Sequence, residues 1–119
     1  MLKTTVTLVA LLLLWLPQAH AAVAINSTRV WPAQDYTRLT LESRQAIRHN
    51  MFTVNNPDRL VIDLDDVEIG DTLKGLAGKI DNDDPYIKSV RIGRFKAGVV
   101  RLVLDLKSAV KPQLFDLKP

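Results

Sequence analysis

The chain has 119 residues, no cysteine, and 16 Lys or Arg against 13 Asp or Glu. That length holds one domain at most, and the lack of Cys excludes disulfide staples, thiol catalysis and cysteine-ligated zinc. The net charge of +3 hides an uneven distribution, with eight acids from Asp63 to Asp84 and eight bases from Lys88 to Lys118; the basic half suits an anionic wall or lipid surface better than nucleic acid, or else a solvated sheet face.

Residues 1–21 have the form of an export signal. Lys3 gives a positive n-region, Val6 to Leu16 is apolar, Pro17 ends it, and Ala19-His20-Ala21 is the small-x-small pattern a signal peptidase cuts. The apolar stretch is too short to cross a hydrocarbon layer of about 30 Å as a helix, so no stable membrane insertion is expected. No Arg-Arg pair and no following Cys are present, which points to general export without a lipid anchor. Residues 22–119 are then the folded part.

From residue 23 onward apolar and polar residues alternate with the period of half-buried strands. The pattern predicts strands at 23–31, 36–43, 47–54, 58–65, 87–95, 99–106 and 110–117. Pro32-Ala33-Gln34-Asp35 separates the first two, and in the second Leu39 and Leu41 alternate with Arg38, Thr40 and Glu42. Asn55-Asn56-Pro57-Asp58 leads into the fourth, where Leu60, Ile62 and Leu64 alternate with Arg59, Val61 and Asp63. Over 72–80, Leu73, Leu76, Ala77 and Ile80 fall at helical spacing behind an Asp71 cap. Gly75 and Gly78 weaken that helix by about 1 kcal/mol each. Asp81-Asn82-Asp83-Asp84 lacks the Gly and distant Glu of a calcium loop, and a solvated turn is expected there. Beyond the turn at Lys96-Ala97-Gly98, Leu102, Leu104 and Leu106 alternate with Arg101, Val103 and Asp105.

An internal repeat runs through these elements. Ile25-Asn-Ser27-Thr-Arg29-Val30 recurs as Ile87-Lys-Ser89-Val-Arg91-Ile92, and Arg38-Leu39-Thr-Leu41-Glu42 recurs one residue further on as Arg101-Leu102-Val-Leu104-Asp105. Two copies of one strand unit imply two similar sheets about an approximate two-fold axis, an all-β sandwich with one short helix in the linker. The first copy continues into Asp58-Arg59-Leu60-Val61-Ile62-Asp63-Leu64, and no counterpart follows the second, so a fragment of a longer protein with a truncated last strand is expected.

The stretch Arg29-Val-Trp31-Pro-Ala-Gln-Asp-Tyr36-Thr-Arg38-Leu-Thr-Leu-Glu42, followed by Asn56-Pro57-Asp58-Arg59-Leu60-Val61-Ile62-Asp63-Leu64, resembles the AMIN domain. That domain stands at the N-terminus of periplasmic N-acetylmuramoyl-L-alanine amidases and of some type IV pilus secretins, and the first stretch looks more like the amidases. The resemblance covers residues 23–117. It implies a symmetrical periplasmic β-sandwich that binds peptidoglycan and helps direct an amidase to the division septum. Zinc is implied only for the catalytic domain of such a parent protein.

The residues themselves agree with a noncatalytic chain. Zinc hydrolysis needs about three protein ligands and an open position. After the export signal only His49, Glu42 and Glu68 offer His or Glu side chains, and a serine triad would need the same lone His49. The candidate contacts are Arg29, Arg38, Glu42, Arg59, Asp63, Arg91, Arg101 and Asp105. A guanidinium grips a carboxylate with two hydrogen bonds, and the peptide stems and muramic acids of peptidoglycan carry carboxylates. The same residues would also form plain cross-strand salt bridges, worth under about 1 kcal/mol per pair. Trp31 and Tyr36 flank a turn, placed for stacking on sugars or for edge packing. The competing reading is a protein-interaction module that docks a septal or secretin partner through a strand edge.

Overall fold

A computed structural model describes residues 22–117, and the expected export signal lies outside them. The elements are β1 (Ile25–Pro32), β2 (Thr37–Ser43), β3 (His49–Val54), β4 (Arg59–Asp65), a helix α1 (Asp71–Lys74) continued by a 3₁₀ segment (Gly75–Lys79), β5 (Ile87–Lys96) and β6 (Val99–Leu106). They form two antiparallel sheets, β1-β2 and β3-β4-β6-β5. The expected all-β architecture of two sheets with a short helix between the repeats is what the chain adopts.

The repeat is preserved residue by residue in the ladders. Ser27↔Glu42, Arg29↔Thr40 and Val30↔Leu39 in one hairpin correspond to Ser89↔Asp105, Arg91↔Val103 and Ile92↔Leu102 in the other, and each hairpin carries a register shift between its first and third residues. The chain then crosses between copies. β4, which belongs to the first copy, pairs with β6 of the second, so β6 becomes a central strand and β2 does not. A two-residue turn, Ala97-Gly98, links β5 to β6, and Gly98 takes φ +76°, where a side chain would be strained.

Period-two patterning sends Leu60, Ile62 and Leu64 of β4, Val100, Leu102 and Leu104 of β6, and Val90 of β5 to the inner face, where they are buried. Ile25, Leu73 and Leu76 pack against them, with Val30, Leu39 and Leu41 half-buried around the same core. Each fully buried Leu contributes about 1.5–3 kcal/mol. Lys79 Nζ donates to the Thr28 carbonyl, tying the 3₁₀ segment to β1.

Four local expectations need correction. Residues 110–117 form no strand. Their counterpart β3 pairs only with β4, and no equivalent of β4 exists among the described residues to give 110–117 a ladder partner. The helix starts after Gly70 with no side-chain cap, Asp71 being its first residue, and it tightens to 3₁₀ from Gly75 onward. Asp84 is not solvated but 1% exposed. One carboxylate oxygen accepts the Tyr86 and Ile87 amides at 2.9 Å each and the Thr37 hydroxyl at 3.0 Å, which joins the start of β5 to β2. Val61 alternates outward as expected but is itself buried, between Phe52 and Val103 in one cross-strand row.

Candidate functional site

The outward residues of β3, β4, β6 and β5 form a grid fixed by strand register. One row reads Asn50, Asp63, Arg101, Gly93; the next Phe52, Val61, Val103, Arg91; the third Val54, Arg59, Asp105, Ser89. Long cations and acids therefore sit on a floor of Val61 and Val103.

Arg101 occupies the middle of the first row. Its Nε and one terminal nitrogen donate to the two Asp63 oxygens at 2.8 and 3.0 Å, a fork that fixes the guanidinium plane. The cation lies 3.5 Å from the Phe95 ring centroid and 5.6 Å from that of Phe52. Both rings are exposed, so a cation–π sandwich opens directly to solvent. Two of the five N–H donors of a guanidinium are used by Asp63, which leaves donors for an incoming acceptor. Hydrogen bonding from Arg101 holds the Asp63 carboxyl below the usual carboxylate range, against the opposing effect of burial, and Asp63 in turn raises Arg101.

A second fork spans the other two rows. Arg91 donates to both Asp105 oxygens at 2.9 Å, and the Ser89 hydroxyl adds a third bond to Asp105 at 2.8 Å. Hydrogen bonding from Arg91 lowers the Asp105 pKa, with Ser89 and the nearby Arg59 cation acting in the same direction. Arg59 faces Asp105 across the ladder, and its Nε is buried without a hydrogen-bond partner.

The eight candidate residues thus divide between two faces. Arg59, Asp63, Arg91, Arg101 and Asp105 converge on the four-stranded sheet. Arg29, Arg38 and Glu42 lie on the outer face of β1-β2, where Arg29 reaches Glu42 at 3.3 Å and Arg38 lies 6.0 Å from the Tyr36 ring centroid. Arg29–Glu42, Arg91–Asp105 and Arg101–Asp63 are cross-strand salt bridges, the pairing these residue types were expected to form on adjacent strands of a sheet. Trp31 and Tyr36 are exposed rather than packed.

Sequence reasoning overlooked Phe52 and Phe95. Strand parity held the signal: Phe95 follows Arg91 and Gly93 at alternate positions, and Phe52 alternates with the inward Met51. His49 lies 3.3 Å from Asp116, and among the described residues no three His, Cys, Asp or Glu side chains cluster as a metal site. Among those residues, too, no helix is long and apolar enough to cross a membrane.

The AMIN domain family profile matches residues 27–119. The chain is 49% identical over 100 residues, 83% of its length, to an N-acetylmuramoyl-L-alanine amidase AmiC of Escherichia coli. It is 45% identical over 98 residues, 82% of its length, to the protein of the same description in Neisseria meningitidis. In each case the match covers 24% of the relative, so the chain spans about a quarter of the length of these proteins.

Proposed function

The chain belongs to the AMIN domain family, and on that premise we propose that it is the noncatalytic, peptidoglycan-binding part of an exported cell-wall amidase, acting in the periplasm and placing its parent protein at the division septum. The observation that carries this reading is the convergence of Arg59, Arg91 and Arg101 with Phe52 and Phe95 on one open sheet face.

Peptidoglycan combines sugar rings with carboxylates on muramic acid and on the peptide stems. Exposed aromatic faces suit the apolar side of a sugar ring, and guanidinium donors suit the carboxylates. Because Asp63 and Asp105 already orient Arg101 and Arg91, little side-chain entropy remains to be lost on binding. Hydrolysis is assigned to a domain elsewhere in the parent, where zinc would be held, and residues 1–21 are assigned to export.

Co-sedimentation of the chain with purified sacculi tests the reading. The wild type should pellet, and Arg91→Ala with Arg101→Ala should reduce its affinity roughly ten- to hundredfold, the effect of losing charge-assisted hydrogen bonds. Undiminished pelleting of a double variant that still melts cooperatively would remove this face from recognition.

A further inference from the structure

We propose that Arg59 is the carboxylate-accepting residue of the four-stranded face, and that the group it takes is a propionate unit, a free carboxylate on a carbon that bears a methyl group. The inference rests on the reading of this face as the wall-binding surface and names the chemistry recognised there.

Three guanidinium groups and two carboxylates share the three outward rows of the sheet. Arg101 is forked to Asp63 and Arg91 to Asp105. Asp105 is thereby engaged through both oxygens, one accepting from Arg91 and the other from Arg91 and Ser89. Arg59 stands opposite Asp105 across the β4–β6 ladder, yet among the described residues it makes no ion pair. Its Nε is buried without an acceptor, a state that folded proteins seldom leave unrelieved. The residue as a whole is only half-buried, so guanidinium donors remain for an acceptor arriving from solvent. Within these rows Arg59 is the cation whose charge no acid of the sheet has taken up.

The neighbouring row sets what lies beside that carboxylate. Val61 on β4 and Val103 on β6 come next on the same face, about 7 Å along the strands, and beyond them lies the Phe52–Arg101–Phe95 sandwich. A ligand held by Arg59 therefore lays its adjoining atoms on an apolar floor. A hydroxyl or a second charge next to the carboxylate would lose water there without gaining a partner, whereas a methyl group gains contact. A carboxylate beside a methyl group occurs at two places in the wall polymer: the alanine C-terminus of a peptide stem, and the lactyl group of muramic acid once its stem is removed. Neutral glucosamine rings carry neither.

The test measures pelleting of the full chain with purified sacculi before and after their carboxylates are capped with methylamine and a carbodiimide. Capping should weaken wild-type binding roughly tenfold or more, the effect of losing a charge-assisted contact. Arg59→Gln should weaken binding to untreated sacculi by a similar factor and suffer little further loss on capping, because residue and carboxylate are two ends of one interaction. Competition on the wild type names the source: displacement by N-acetyl-D-alanine assigns the stem terminus and displacement by N-acetylmuramic acid the lactyl group, with N-acetylglucosamine as the neutral blank. The carboxylate site is overturned if neither acid displaces better than the blank, or if capping costs Arg59→Gln as much as it costs the wild type. A wild-type chain that pellets equally with untreated and capped sacculi overturns it too, while leaving the wall-binding face standing. A wild-type chain that pellets with neither overturns both.

Discussion

The hairpins β1–β2 and β5–β6 share register, bulge position and charge pattern, yet they meet different surroundings. In β5–β6, Asp105 is held by two bonds from Arg91 and one from Ser89, and Leu102 beneath is fully buried. In β1–β2, the longer Glu42 reaches Arg29 through a single 3.3 Å contact, the Ser27 hydroxyl is buried without a partner, and Leu39 is half-buried. The contrast shows that hairpin pattern alone does not set burial or electrostatic order. A neighbour on the second edge does, here β4 against β6, together with the length of one acidic side chain.

The largest expected effect tests that contrast in the core. Leu102→Ala should cost about 2–5 kcal/mol of unfolding free energy, because it empties a closed site. Leu39→Ala, the equivalent change, should cost about half as much or less, since its site is already open on one side. Denaturant unfolding of both variants would measure the difference, and equal losses would break the comparison.

A second test concerns the outer faces. Arg101→Ala should weaken sacculus binding roughly tenfold or more. Arg38→Ala should change it much less, since Arg38 lacks the orienting acid and the aromatic sandwich. Equal losses would mean that both sheets bind and that the forked geometry confers no advantage.

Acid sharpens the same point. Asp63 and Asp105 have folded pKa values lowered by their arginines. Their contribution is therefore complete above the unfolded carboxylate value of about 3.9 and disappears as pH falls through the lowered folded values. Thermal melting should be flat in these groups from neutrality to about pH 5 and should decline below about pH 4. Asp63→Asn should flatten that acid limb, and an unchanged limb in this variant would contradict the role given to the Arg101 fork.

The smallest effect is a gain. Glu42→Asp shortens the acid to the length of Asp105, so that it can accept from both Ser27 and Arg29. Stability should rise by up to about 1 kcal/mol, the net value of one ordinary hydrogen bond. A loss of stability would show that the lone hairpin cannot hold the fork that its counterpart holds.

Much of this was legible in the sequence because it rests on period and repetition. Alternation at Leu60, Ile62 and Leu64 placed β4 and its inner face, and the recurrence of Ser27-Thr-Arg29 as Ser89-Val-Arg91 announced two matched hairpins. Pairing between copies was not legible, because alternation tells which face a residue takes and not which strand lies beside it. Which acid each arginine meets, Asp63 for Arg101 above all, therefore follows from the β4–β6 ladder and not from the alternation. Asp84 was hidden for another reason: an Asp in a run of acids looks solvated until Thr37, distant in sequence, is brought to it. Residues 110–117 kept the pattern of a strand without a neighbour to pair with.

The central claim, that the outer face of the four-stranded sheet is the recognition surface, is tested most directly by titrating the isotope-labelled chain with a soluble disaccharide-peptide fragment of peptidoglycan. Perturbed backbone amides and arginine Nε–H signals should cluster at Phe52, Arg91, Phe95 and Arg101, with those of Arg29 and Arg38 moving little. Perturbations confined to β1 and β2, or none at a concentration that saturates binding to sacculi, would contradict it.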